Sequence, residues 1–220
     1  MELIIENLAC RRAGRQVFQG LDFRVGAGAM AMLRGPNGVG KSTLLRALAG
    51  LLPIAEGHVR LGDCSLADDP AGFQEAVAYA GHLDAVKPAL TVADNLALWC
   101  AVNGTPGDRA RIALERFGLS PIAERMAAEC SAGQKRRLGL ARLLLTDRPL
   151  WLLDEPTVSL DHEAKALVAD LVRDHLAGGG LALIASHEDL GLGNVAVLDM
   201  QPDAVTTREK TDDPFLEGAW

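Results

Sequence analysis

Short apolar runs alternate along the chain with longer segments in which apolar residues recur at helical spacing. This alternation predicts a largely parallel α/β sheet. Three of the runs, at residues 150–153, 181–185 and 195–198, contain only apolar residues, as strands buried on both faces do. Residues 21–25 instead alternate apolar and polar side chains, and so predict an antiparallel edge strand. Further strands are predicted at residues 3–8, 30–33, 58–61 and 76–80.

The helical segments divide the chain into a core and an insertion. Helices are predicted over residues 41–51 and 161–176, and the second ends at three consecutive glycines. From residue 83 onwards the strand pattern stops and Ala, Leu and Arg dominate. A helical subdomain over about 83–140 is therefore expected as an insertion in the core. We predict a single domain over residues 1–200 and a polar, partly disordered tail over 201–220.

Composition and charge exclude some classes of function. The 220 residues are 49% hydrophobic, enough for a sizeable core, and carry a formal net charge of −7. An acidic balance argues against a nucleic-acid-binding protein, which needs a basic face to meet phosphates. The basic runs at residues 11–12 and 135–137 are interpreted as solvated faces or local anion contacts. Four scattered cysteines without paired spacing indicate free thiols in a reducing compartment.

Neither the N-terminal residues nor the longest uncharged stretch predicts membrane insertion. Residues 1–6 carry acids where a signal peptide carries basic residues. The uncharged stretch at residues 95–107 contains Asn, Gly, Thr and Pro, and is shorter than the roughly 20 apolar residues of a spanning helix. We therefore expect a cytosolic protein that reaches a membrane only through a partner.

Residues 35–43 read GPNGVGKST and match the P-loop pattern, between a predicted strand and a predicted helix. Glycines let main-chain N–H groups turn towards phosphate oxygens, and the helix N-terminus adds its dipole. Lys41 is expected to reach the β- and γ-phosphates, and Ser42 to ligate Mg²⁺. The loop residues expected to bind ATP are Gly35, Pro36, Asn37, Gly38, Val39, Gly40, Lys41, Ser42 and Thr43.

A P-loop alone is also found in kinases, GTPases, motors and helicases, so three later segments decide the class. Residues 150–155, LWLLDE, would bring Asp154 to the Mg²⁺ shell and Glu155 beside the γ-phosphate, although an ordinary strand can also end in acids. Residues 130–134, CSAGQ, form either an anion-binding helix start or a plain one. His187 follows an apolar strand, a place where a histidine standing alone is more often structural.

Together these segments resemble the motifs of ABC ATPases. The matching segments are GPNGVGKST, CSAGQ, LWLLDEP, Ser159–Leu160–Asp161 and Ala185–Ser186–His187. The resemblance implies a P-loop core with an antiparallel β edge and a helical subdomain. It also implies a head-to-tail dimer that holds each ATP between one P-loop and the partner's Ser131, Gly133 and Gln134. Glu155 is then the general base, and His187 holds the γ-phosphate.

Two positions depart from that family's pattern. Where an aromatic residue usually stacks on adenine, this chain has Arg12, whose guanidinium can stack on a purine or simply be solvated. Where a Gln usually follows the strand that enters the insertion, this chain has His82. A histidine can bind water or phosphate but is a poor ligand for a hard cation, so His82 is only a candidate for the Mg²⁺ site.

Residues 81–96 and the SAGQKRRLGLARLLL helix are similar to the ATP-binding subunits of cytochrome c maturation. That resemblance implies a peripheral complex on the cytoplasmic face of a bacterial inner membrane, with a CcmB-like membrane subunit and a CcmC-like protein. ATP turnover would drive haem export or haem delivery to a chaperone. The alternatives are the ATPase of another ABC importer or exporter, or a non-transport ABC ATPase.

Residues 85–101 carry few charges and supply the expected docking surface for the membrane partner. Pro88 and Thr91 predict a rigid turn and a helix cap. We expect Val86, Lys87 and Leu90 to contact a short cytoplasmic helix of that partner.

Overall fold

The computed structural model describes residues 1–188, 190–192 and 195–201, so the predicted tail lies outside the described residues apart from Gln201. The strands are β1 (Glu2–Arg12), β2 (Arg15–Gly26), β3 (Met30–Arg34), β4 (Glu56–Leu61), β5 (Cys64–Ser65), β6 (Val77–Ala80), β7 (Leu150–Asp154), β8 (Leu181–Ala185) and β9 (Ala196–Asp199). The helices are α1 (Lys41–Leu48), α2 (Pro70–Glu75), α3 (Val92–Asn103), α4 (Asp108–Arg116), α5 (Ala132–Ala141) and α6 (His162–Ala177).

Two sheets form the α/β core. One is antiparallel, in the order β2-β1-β4-β5, and the other is parallel, in the order β6-β7-β8-β3-β9. Every residue of β7 and β8 is buried, which confirms the prediction of strands covered on both faces for these two strands. The same prediction is wrong for β9, whose residues are exposed or half-buried because the strand lies at the edge of the parallel sheet. The strand β5 and the helix α2 were not predicted, because two and six residues show no periodicity. Asp69 followed by Pro70, a cap and a first-turn proline, was the available signal for α2.

The two faces of the parallel sheet carry two separate apolar clusters, because successive side chains of a strand point to opposite faces. From β7, Leu150 and Leu152 join the cluster that contains α1 and the antiparallel sheet. Trp151 and Leu153 join the other cluster, which contains the helices α3 to α6. The sheet is thus the middle layer of the domain, as parallel sheets require.

The segment from residue 83 to 129 is fully described and contains helices but no strand, apart from a single bridge between Thr91 and Met126. Thr91 caps α3 by accepting a hydrogen bond from the Asp94 N–H at 3.0 Å. Ser131 caps α5 in the same way and forms a capping box with Gln134. All four cysteines are free thiols.

The order of the parallel strands determines where the site forms. β7, β8 and β3 are neighbours, so their carboxyl ends lie side by side at one edge. The P-loop follows β3, Asp154 and Glu155 end β7, and His187 follows β8. In parallel α/β sheets ligands bind at this edge, so the topology brings three distant segments to one place.

Candidate nucleotide-binding and catalytic site

The loop after β3 is curled back on itself. Gly35, Gly38 and Gly40 have φ angles of 136°, 81° and 112°, in the region that favours glycine. Lys41 begins α1, and its Nζ donates to the carbonyl oxygens of Gly35 at 2.7 Å and Pro36 at 3.2 Å. Within the described part of the chain, no side chain caps α1, so the first N–H groups of the helix have no side-chain partner there. Val39, in contrast, has a buried side chain in the core, so only its main chain is available to a ligand.

Ser42 and Asp154 form the second part of the site. Ser42 Oγ donates to Asp154 Oδ1 at 3.0 Å, across 112 residues of chain. Asp154 is 2% exposed, and its Oδ2 has no hydrogen-bond partner among the described residues. An orphaned buried carboxylate oxygen next to a hydroxyl fits a Mg²⁺ ion, which prefers oxygen ligands and completes its shell with phosphate and water.

Glu155 and His187 form the third part. The Glu155 N–H donates to the Ala185 carbonyl at 2.8 Å, and its φ of 49° turns the chain sharply at the end of β7. His187 Nε2 lies 3.6 Å from Glu155 Oε1 and 2.9 Å from Asn37 Oδ1. One imidazole therefore contacts both the P-loop and the acidic end of β7. The Asn37 contact could not be predicted from sequence.

The predicted CSAGQ segment, residues 130–134, lies against a different part of the chain. Ser131 Oγ accepts from Gln134 N at 3.2 Å, and Gln134 Oε1 accepts from Ser131 N at 2.9 Å. A Cβ on Gly133 would come within 2.9 Å of the Ser159 carbonyl, and Ser159 has a φ of 65°. Gly133 thus lies against the 159–161 turn, whereas the P-loop contacts Asp154 and His187 and, at Gly40, the hairpin residues Val17 and Phe18.

Arg136 is the functional candidate that the sequence reasoning missed. Its run of basic residues was interpreted as a solvated face or a local anion contact. For this residue the solvated face is wrong, and the anion that it contacts is the carboxylate of Asp84. Arg136 is 5% exposed and donates to four main-chain carbonyls and to the carboxylate of Asp84. These acceptors replace the water that a buried guanidinium loses.

The two positions that depart from the family pattern both lie on the surface. Arg12 is exposed at the end of β1, opposite Arg15 in the hairpin. Phe18, the first aromatic residue of the chain, is buried and packs with Val17 beside Gly40. His82 is exposed and follows Gly81 directly after β6.

A groove of about 660 Å³ lies beside His82, between α1 and the helical subdomain. Among the residues that the structure describes, its lining includes Arg46, Leu51, Leu83, Trp99, Arg142 and Arg148, and no acidic residue. Arg142 Cζ lies 5.2 Å from the Trp99 ring centroid, and burial lowers the pKa of Arg142. Within the described residues, none of the three arginines forms an ion pair with a carboxylate. Leu83 and Leu51 are 81% and 60% exposed.

A P-loop between a parallel strand and a helix, with a hydroxyl–carboxylate pair beside it, defines a P-loop nucleotide-hydrolysing domain. Comparison with known proteins narrows this class. Residues 18–158 match the ABC transporter family. The cytochrome c biogenesis ATP-binding export protein CcmA of Cereibacter sphaeroides is 53% identical over 218 residues, covering 98% of each chain. The protein with the same name from Ruegeria pomeroyi is 52% identical, covering 92% of each chain.

Solved structures agree on the fold. An ATP-binding subunit of an ABC transporter is 26% identical with a TM-score of 0.77, covering 85% of this chain and 80% of that chain. A proposed ABC transporter ATP-binding protein from Pyrococcus furiosus is 23% identical with a TM-score of 0.78, covering 91% of this chain and 98% of that chain. At that identity the second likeness shows the fold alone.

The chain therefore belongs to the ABC transporter family and, within it, to the CcmA-like ATP-binding subunits. It binds and hydrolyses ATP as the ATPase subunit of a transporter, and such subunits act as dimers together with membrane subunits. The predicted fold class, family and ATP hydrolase activity are confirmed. In the described part of the chain, no helix has the length and apolar character needed to cross a bilayer.

Proposed function

We propose that this subunit drives the export step of cytochrome c biogenesis from the cytoplasmic face of a bacterial inner membrane. The observation that carries the proposal is similarity over nearly the whole chain to proteins whose names state that role. Haem, delivered to a chaperone, is the proposed cargo. The proposed partners are a CcmB-like membrane subunit and a CcmC-like protein.

At the site, the P-loop main chain, Thr43 and Lys41 are proposed to hold the phosphates of ATP. Lys41 would exchange its bonds to the carbonyls of Gly35 and Pro36 for phosphate oxygens. Ser42 and Asp154 are proposed to hold Mg²⁺, which neutralises charge on the phosphate oxygens. Support for this comes from the unpartnered Oδ2 of Asp154.

Glu155 is proposed to take the proton of the attacking water. His187 is proposed to hold Glu155 and the γ-phosphate at the relative positions that the reaction needs. Support comes from the position of the imidazole, within 3.6 Å of Glu155 Oε1 and hydrogen-bonded to Asn37 of the P-loop. Positioning by a neighbouring group matters because hydrolysis requires an in-line water at a fixed distance.

The second half of each site is proposed to come from another copy of the chain. The Ser131 and Gln134 side chains are used in the capping box, so the N–H groups of Ala132 and Gly133 at the start of α5 are the proposed donors to the partner's γ-phosphate. The contact of Gly133 with Ser159 would make the CSAGQ segment and the 159–161 turn one continuous dimer surface.

Two further contacts are proposed at the periphery. Arg12 is exposed on the hairpin whose residues Val17 and Phe18 pack beside the P-loop, and its guanidinium is proposed to stack on the adenine. His82 is proposed to approach the Mg²⁺ shell through a water molecule, since neutral imidazole is a weak ligand for that ion.

The groove beside His82 is proposed to receive a cytoplasmic helix of the membrane subunit. Leu83 and Leu51 offer exposed apolar surface there. Val86, Lys87 and Leu90, which the sequence predicted as the docking residues, do not line this groove. Val86 instead packs partly against the core. The proposed contact therefore moves to Leu83 and Leu51.

The role in cytochrome c biogenesis is tested by replacing the gene in its host with variants of the chain. A strain that makes only Glu155→Gln protein should lose haem-stained c-type cytochromes, whereas the wild-type gene should restore them. Immunoblots must show equal amounts of both proteins. Normal c-type cytochromes in the Glu155→Gln strain would overturn the proposal.

A further inference from the structure

Arg136 is hydrogen-bonded to the main chain of residues 154–156, around the proposed base Glu155, and to that of Gly81. Nη2 donates to the carbonyls of Asp154 at 3.0 Å and Glu155 at 2.6 Å, and Nε donates to that of Pro156 at 3.3 Å. Nη1 donates to the Gly81 carbonyl at 2.9 Å. One planar group on α5 thus fixes the main chain on both sides of Glu155 and the end of β6.

The charge of Arg136 has one ion-pair partner among the described residues. Asp84 Oδ1 accepts from Nη1 at 3.0 Å, and the Arg136 and Asp84 side chains are 6% and 26% exposed, respectively. A buried guanidinium that loses its only carboxylate is left with carbonyl dipoles alone, which is strongly unfavourable in a low dielectric. The position of Arg136 therefore depends on the position of Asp84.

Asp84 belongs to the segment that borders the groove. Gly81, His82, Leu83 and Ala85 line the groove, while Asp84 faces the other way, towards α5. Ala85 has a φ of 54°, a strained value for alanine that packing must hold in place. The preceding residue, Asp84, packs against Gly139 of α5, where a Cβ would come within 2.7 Å of the Asp84 carbonyl.

We propose that Arg136 is a positioning residue for Glu155, and that the Asp84–Arg136 pair links occupation of the groove to ATP hydrolysis. An occupant that draws residues 82–85 away from α5 removes the carboxylate from Arg136 and loosens the Glu155 main chain. An occupant that presses the same residues onto α5 keeps the carboxylate on Arg136 and holds the Glu155 main chain more firmly. The link rests on the proposed role of the groove as the docking site of a membrane subunit.

The pair is tested in the complex purified from detergent-solubilised membrane. Asp84→Asn removes the charge and keeps the shape, Asp84→Glu keeps the charge, and Gly139→Ala displaces Asp84 without changing any charge. Gly107→Ala is the matched control, because a Cβ there has no neighbour within 4 Å among the described residues. We measure kcat, KM for ATP, ATP affinity in a Glu155→Gln background, and the melting temperature.

We expect Asp84→Asn and Gly139→Ala to lower kcat by about ten-fold while the ATP affinity stays within about two-fold, because the base is displaced and the phosphate cradle is not. Asp84→Glu should recover most of the kcat, and the double variant Asp84→Asn with Gly139→Ala should lose little more than either single variant. An unchanged kcat in both single variants would overturn the proposal. So would equal losses of kcat and ATP affinity, which would indicate a structural role.

Failure of the docking proposal can be distinguished from failure of the Arg136 positioning proposal. If the wild-type chain does not assemble with a membrane subunit, the groove is not its docking site, and the same kcat measurement on the isolated dimer still tests whether Arg136 positions Glu155. The assay needs no cytochrome c, so its outcome is independent of the proposed cargo.

Discussion

His187 Nε2 lies 2.9 Å from Asn37 Oδ1, although 150 residues separate the two along the chain. The bond joins the loop after β3 to the segment after β8, which are neighbours in the parallel sheet. The same nitrogen is 3.6 Å from Glu155 Oε1. A nucleotide phosphate that enters the P-loop would therefore meet an imidazole already oriented by the loop itself.

The role of Glu155 as base predicts a separation of binding from turnover. Glu155→Gln keeps the shape and loses the proton acceptor, so steady-state hydrolysis should fall by at least about 10²-fold while ATP affinity is retained. The variant should also accumulate as a dimer with ATP and Mg²⁺ by size-exclusion chromatography. Glu163→Gln, an exposed acid in the first turn of α6, is the control and should hydrolyse normally. Near-normal turnover by Glu155→Gln would rule out the assignment.

The composite site predicts complementation between two inactive variants. Lys41→Ala should weaken both ATP binding and turnover, because the ammonium acts on ground-state phosphates as well as on the transition state. Ser131→Arg should bind ATP yet fail to close the dimer, because a long cation replaces the cap at the helix start. A mixed dimer has one site with both lesions and one with neither, so the mixture should regain part of the activity.

The mixing experiment requires that mixed dimers are present, which differently tagged subunits and sequential affinity purification establish. The ATPase activity of each variant mixed with a differently tagged copy of itself gives the background activity. If verified mixed dimers are no more active than either parent, the site is not shared between two chains.

The proposed docking of a membrane subunit in the groove predicts which apolar residues are needed to keep the chain at the membrane. Leu83→Asp or Leu51→Asp should move the protein to the soluble fraction with unchanged ATP affinity, because both side chains are exposed and both line the groove. Val102→Asp alters an equally apolar residue, 69% exposed on α3 and outside the groove, and should remain on the membrane.

The comparison with Val86→Asp distinguishes docking from folding. Val86 packs partly against the core, so this change should lower the melting temperature, whereas Leu83→Asp should not. Full membrane retention of the double Leu51→Asp and Leu83→Asp variant would exclude the groove as the docking site.

Local pattern was enough to predict most of the fold. β3, β7 and β8 were predicted within one residue of their bounds, because strands buried on both faces require apolar residues at every position. The end of α1 was predicted three residues too late, since the 49–51 turn continues the apolar pattern. The P-loop was recognisable because its chemistry lies in nine consecutive residues, 35–43.

The sequence by itself determined the sheet, the phosphate loop and the family, because each depends on residues that are contiguous or evenly spaced. Only the tertiary structure decided that Arg136 is buried, that Asp154 keeps an unpartnered oxygen, and that His187 meets Asn37. The sequence of a basic run is the same whether its side chains are solvated or buried. Which of the two it becomes depends on whether distant carbonyls and a carboxylate converge on it, and that convergence is created by strand order and helix packing across the whole domain.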